Sequence, residues 1–199
     1  GQTSRAVFYH LSMWVAMYLM LLVSLVYSIR FLRTNNLKDD THAREAAIVG
    51  IFFGILGLTT GILWSRVAWY STLPDNDFDA WWSWDPKQTS VLIAIIIFAA
   101  YLVLRNSVDE MTQRARLGAV YNIFAFVAVI ALTYIIPRQM ESLHPGSDAQ
   151  PGEDTSFAPA YRMVLYPAFF GFALLAVWVL EIRVRTALLR ERFDEIVLN

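Results

Sequence analysis

The chain has no cysteine. That excludes disulfides, thiolate metal ligation and thiol redox chemistry, and it leaves any metal to histidine, carboxylate or methionine. Histidine itself is scarce, with three in 199 residues. There is no glycine-rich phosphate loop, no HExxH and no defensible nucleophile–base pairing. Lysine and arginine number 16 against 17 acidic residues, and no basic patch suited to nucleic acid is present. Residues 1–5 are polar, so no signal peptide is expected there.

Apolar residues are in excess. They make up 57% of the chain, where a soluble domain has about 45–50%, and they sit in long uncharged runs. Five runs are long enough to cross a hydrocarbon core, which takes roughly 20 helical residues. They cover Ala6 to Ile29, Ala46 to Trp64, Val91 to Leu104, Leu117 to Ile136 and Met163 to Leu180. The third is short, and lengthens if its helix begins at Pro86. Asp85 is a good N-cap, Pro86 suits the first helical position, and Gln88 stands where a capping box places its partner. Backbone groups in lipid must be satisfied internally, so an all-α polytopic membrane helix bundle with five transmembrane helices is expected. Residues 1–199 form one integral membrane domain in this reading.

Arg30, Arg33, Lys38, Arg44, Arg105, Arg114, Arg116, Arg183, Arg185, Arg190 and Arg192 all fall on one side of these spans. That is 11 of the 16 basic residues, and the positive-inside rule makes this side cytoplasmic. The N-terminus, the loop at 65–87 and the loop at 137–161 then face outward. In a bacterium the bilayer would be the cytoplasmic (inner) membrane. The outer loops are acidic, with Asp75, Asp77, Asp79, Asp85, Glu141, Asp148, Glu153 and Asp154. The segment 183–199 reads as a cytoplasmic basic amphipathic tail. Gly50, Gly54, Gly57 and Gly61 put small residues on nearly one face of the second span, which favours close helix packing.

The outer loop at 65–87 contains Trp81-Trp82-Ser83-Trp84-Asp85. An interfacial aromatic belt accounts for Trp64 and Trp69, but scattered residues would serve a belt better than this tight run. The run could form a π-rich shelf for a large planar ligand, such as haem or a quinone. His10 and His144 both lie on the shelf's side of the membrane, while His42 lies on the other. Neutral imidazole is a common axial ligand of haem iron. Taken singly, His10 reads as an amphipathic surface residue and His144 as a turn residue. Asp85 serves as a helix cap or, in addition, orients Trp84 or a ligand histidine. Arg5 and Lys87 are either interfacial cations or partners for the ligand's carboxylates.

The tryptophan run resembles the signature of the tryptophan-rich haem-handling proteins of cytochrome c biogenesis, and among them the CcmC family. Arg5-Ala6-Val7-Phe8-Tyr9-His10, the stretch from Thr60-Gly61 to Trp69, Thr89-Ser90 and Ser142-Leu143-His144-Pro145-Gly146-Ser147 are also similar to that family. The resemblance implies non-covalent haem b held outward with His10 and His144 as axial ligands. Trp81, Trp82, Trp84 and Asp85 would form the edge, and Arg5 and Lys87 match basic positions. It further implies presentation and delivery of haem, rather than independent catalysis, to a CcmE-like haem chaperone. The CcmA/CcmB transporter and a small CcmD-like membrane protein would be partners. The family has six spans where this sequence shows five, a difference that falls at the N-terminus. Ser71 to Ala80 looks like an acidic insert. Asp85-Pro86-Lys87 is closer to the related CcsA-type proteins, which makes the haem-handling subunit of a cytochrome c synthase the alternative. A quinone-associated or structural subunit is a second alternative.

Overall fold

Each of the five apolar runs lies within a helix in the computed structural model, which describes residues 3–69, 81–144 and 159–198. The chain is a multi-pass membrane protein, and among the described residues there is no strand. The acidic residues Asp75, Asp77, Asp79, Asp148, Glu153 and Asp154 lie outside the described residues, as do Pro145 to Ser147 and the whole of the insert Ser71 to Ala80.

Helix α1 (Thr3–Thr34) and helix α2 (Leu37–Ala68) form an antiparallel hairpin joined by two residues. Asn35 takes the left-handed conformation at φ 53, which asparagine tolerates better than most residues, and its N–H bonds the Phe31 carbonyl. Asn36 then caps α2 by accepting from the Lys38 N–H. The basic stretch after the first span therefore differs from the loop expected there. Leu37 to Glu45 adds helical turns to α2, and its acidic residues are buried because cations on other elements reach them. Arg105 makes two 2.6 Å bonds to Asp40, Arg183 pairs with Glu45 at 2.7 Å, and Arg30 reaches Asp39 at 3.4 Å.

Helix α3 (Pro86–Asn106) starts at the expected Asp85–Pro86 cap. The Gln88 side chain does not close a capping box, since it bridges Ser65 of α2 and Ser83 of the tryptophan run at 3.0 Å each. Helix α4 (Met111–Ile130) is capped by Glu110 and continues as a π-helical turn at Ala131–Ile135 and a 3-10 turn at Ile136–Gln139. Pro137 lacks an N–H, so the α-helical ladder has to change pattern before it. Helix α5 (Pro159–Leu198) runs without a break from the fifth span through the basic tail. At roughly 1.5 Å per residue its 40 residues outreach a hydrocarbon core of about 30 Å.

The first four helices form a bundle in which α1 touches α2 and α4, and α3 touches the same two. Helix α5 lies outside, against α1 and α2. Met17, Met20, Phe53, Phe98 and Val129 are buried at the centre. Within it the Asn122 NH₂ group donates to Ser24 and Ser28, while its buried Oδ1 has no hydrogen-bond partner among the described residues. The glycine stripe of α2 takes up side chains of α1. An added Cβ would meet Leu21 at Gly50, Met17 at Gly54, Trp14 at Gly57 and His10 at Gly61. Close intramolecular packing is therefore what the stripe provides.

Candidate functional site

The end of the bundle opposite Arg105 and Arg183 holds a cavity of about 310 Å³. Its wall includes His10 and Trp14 from α1, Gly61 and Trp64 from α2, and Lys87 and Gln88 from α3. Thr133 of the π-helical turn and His144 complete it, with Tyr18 and the aliphatic residues Val7, Leu11, Leu58 and Val91. Two histidines 134 positions apart in sequence thus face one largely apolar space.

Each imidazole is oriented by a defined partner. The His10 Nδ1 lies 2.9 Å from the Gly57 carbonyl oxygen. A carbonyl only accepts, so the neutral ring carries its hydrogen on Nδ1 and its lone pair on Nε2. That lone pair accepts from the Trp14 indole N–H at 3.1 Å, and the two rings meet edge to face. Gly61 makes room for the ring, since a Cβ there would stand 2.6 Å from His10 Cε1. Tyr18 donates to Thr133 at 2.6 Å, which ties the π-helical turn to α1 below the cavity.

His144 is held by Asp85. Its Nδ1 lies 2.9 Å from Asp85 Oδ1, which also accepts from the Lys87 N–H at the start of α3. Asp85 Oδ2 accepts from the Ser142 hydroxyl and the Leu143 N–H, both at 2.8 Å. The carboxylate side chain is 1% exposed, and its four bonds join the α3 N-terminus to residues 142–144. Burial by itself would raise the Asp85 carboxyl. The bonds from His144, Ser142 and Leu143 outweigh it and hold the group well below the usual carboxylate range. A carboxylate on Nδ1 places the neutral ring's lone pair on Nε2, the arrangement common behind metal-ligating histidines.

The tryptophan run sits beside this cavity rather than in its wall. Trp81 is 60% and Trp84 80% exposed, while Trp82 is half-buried and meets Trp84 edge to face. Arg66 covers Trp81 at 3.9 Å from its ring centroid. Arg5 is exposed on the first turns of α1 and is not among the wall residues, whereas Lys87 is. His42 is at the other end, stacked on Tyr27. The aromatic wall comes instead from Trp14 and Trp64, and Trp69, 3% exposed, packs edge to face on both Trp64 and His144. An interfacial belt therefore does not describe Trp69, which is buried, while Trp64 turns toward the cavity. Trp14 and Gly61 carried readable signals: the first lies one turn from His10, and the second belongs to the glycine stripe.

Among the described residues no three histidine or carboxylate groups converge as a metal site. A porphyrin brings four nitrogens of its own, so two imidazoles would complete the six positions of its iron.

The CcmC model, Heme exporter protein C, matches residues 1–198. Heme exporter protein C of Paracoccus denitrificans is 31% identical over 196 residues, spanning 96% of this chain and 76% of that protein. The protein of the same name from Rhodobacter capsulatus is 27% identical over 199 residues, with the same two coverages. Cytochrome c biogenesis protein CcsA of Prochlorococcus marinus is 38% identical over 108 residues, which are 54% of this chain and only 29% of that protein. With the match running over almost the whole chain, this protein belongs to the CcmC, or heme exporter protein C, family.

Proposed function

We propose that this protein binds haem non-covalently between His10 and His144 and delivers it during cytochrome c biogenesis. The observation that carries the reading is the cavity that both imidazoles line, each with its lone pair directed to Nε2 by a partner on Nδ1. The residues fit haem in three respects. Two neutral imidazoles suit haem iron, Trp14, Trp64 and Tyr18 offer aromatic surface to the ring, and Lys87 offers a cation for a propionate. When bound, haem would supply the iron that takes the two imidazole nitrogens and the reactive vinyl edge.

Each residue has a separable task in this reading. Asp85 keeps His144 in the metal-competent tautomer and ties it to the start of α3. The Gly57 carbonyl does the same for His10. Trp81 and Trp84, exposed beside the cavity, would contact the outer edge of the haem and the receiving protein together. The count of basic residues favours the outer face of the cytoplasmic membrane for the cavity in this reading. A CcmE-like haem chaperone would receive the cargo there, and the CcmA/CcmB transporter and a CcmD-like protein would complete the assembly.

The likeness to CcsA over 54% of the chain favours one second reading, the haem-handling subunit of a cytochrome c synthase. A transfer experiment separates the two. Haem-loaded protein is mixed with the soluble domain of a CcmE-like chaperone or with an apocytochrome CxxCH peptide, and the acceptor's haem is read by absorbance after separation. Transfer to the chaperone supports delivery, and thioether formation on the peptide supports the synthase reading. Haem that reaches neither acceptor would overturn both.

A further inference from the structure

A carrier has to release what it binds, and its ligand residues have to be satisfied afterwards. A buried imidazole nitrogen without a partner is unfavourable, because burial removes its water without replacing the hydrogen bond. At His10 the chain supplies that replacement itself. We propose that Trp14 is an internal competitor for the iron-binding nitrogen of His10, satisfying it between cargoes and lowering haem affinity enough to permit release. This rests on the haem reading above.

Three observations carry it. First, the Trp14 indole N–H donates to His10 Nε2 at 3.1 Å, and the other ring nitrogen is committed to the Gly57 carbonyl at 2.9 Å. Iron can take His10 Nε2 only when that indole bond breaks. Second, the competition is local. Trp14 stands one turn from His10 on α1, so a change of its side-chain rotamer would break the bond without moving the helix. Third, Trp14 is itself part of the cavity wall. An indole that swings away frees the nitrogen and enlarges the space in one motion. Phenylalanine at this position would keep an aromatic ring beside Gly57 and lose the indole N–H.

The test is Trp14→Phe, which keeps an aromatic ring and removes the donor. Detergent-purified full chain is titrated with hemin by its Soret band, alongside wild type and His10→Ala. Haem loss to excess apomyoglobin gives the dissociation rate. Independently of haem, carbethoxylation of His10 by diethylpyrocarbonate in the haem-free protein reports how available Nε2 is. A hydrogen bond of ordinary net strength corresponds to roughly two- to tenfold in affinity. Trp14→Phe is therefore expected to bind hemin about two- to tenfold more tightly, to release it more slowly and to modify faster at His10. Unchanged affinity together with unchanged His10 reactivity would overturn the proposal and leave the haem site standing. Weaker binding would overturn it too, by making Trp14 a stacking surface. Hemin binding that ignores His10→Ala would instead remove the haem reading, and the competition with it.

Discussion

Asp85→Asn tests the joint between α3 and His144. The carboxylate accepts four bonds, from Lys87 N–H and His144 Nδ1 on one oxygen and from Ser142 and the Leu143 N–H on the other. Asparagine keeps the size and offers one oxygen and one NH₂ group. If the oxygen faces Lys87 and His144, the amide points at the Leu143 N–H, donor against donor. If it faces Leu143, the α3 cap is lost and His144 must move its hydrogen to Nε2, which takes the metal-binding lone pair away. Either choice removes a charge-assisted bond and leaves a buried donor unmet. At about 1.5–3 kcal/mol for a bond to a charged group, the segment 142–144 should lose roughly 2–4 kcal/mol of local stability. Hydrogen exchange read by mass spectrometry should show the Leu143 amide exchanging roughly a hundredfold faster, within a factor of ten either way.

The pH dependence is also set. The Asp85 carboxyl is held below its unfolded value, so its contribution is complete above about pH 4 and fades only as pH falls through the lower folded value. Protection at 142–144, corrected for intrinsic exchange, should stay level between pH 7 and pH 5 in wild type. Exchange in Asp85→Asn within threefold of wild type, with an unchanged haem spectrum, would refute the reasoning.

Other perturbations follow from the same geometry. Gly61→Ala pushes a methyl to 2.6 Å from His10 Cε1, and should cost about 1–3 kcal/mol in thermal unfolding and weaken hemin binding. Gly171→Ala, with nothing within 4 Å and inside α5, should leave hemin binding unchanged and raise stability by up to about 1 kcal/mol. Breaking the buried Arg105–Asp40 pair with Arg105→Gln or Asp40→Asn should destabilise by about 3–5 kcal/mol, and an Arg105→Met/Asp40→Leu double variant should recover much of it. Because the chain has no cysteine, single replacements label without background. A membrane-impermeant maleimide should reach Glu141→Cys in intact cells and Arg192→Cys only after permeabilisation; the reverse pattern would invert the proposed orientation.

The helices were legible because uncharged runs in a membrane have few alternatives, and the Asp85–Pro86 start of α3 was legible because a cap and an N1 proline act locally. What was hidden depends on distant partners. Asp39, Asp40 and Glu45 read as loop charges until Arg30, Arg105 and Arg183 are seen to reach them from elsewhere. Trp14 and Trp64 look the same in sequence whether they face lipid or a cavity. The glycine stripe announced close packing, and only the fold shows that His10 and Trp14 occupy part of it. The tryptophan run drew attention to the end of the bundle that holds the cavity, yet the wall beside His144 is built from Trp64, with Trp69 packed behind.

The central claim is that His10 and His144 hold haem together, and visible spectra of the purified protein test it most directly. Wild type, His10→Ala and His144→Ala are each loaded with hemin and recorded oxidised and reduced. The account expects a six-coordinate low-spin spectrum in wild type that turns high-spin or disappears in either variant. A wild-type protein that takes up no haem, or variants whose spectra match it, would contradict the account.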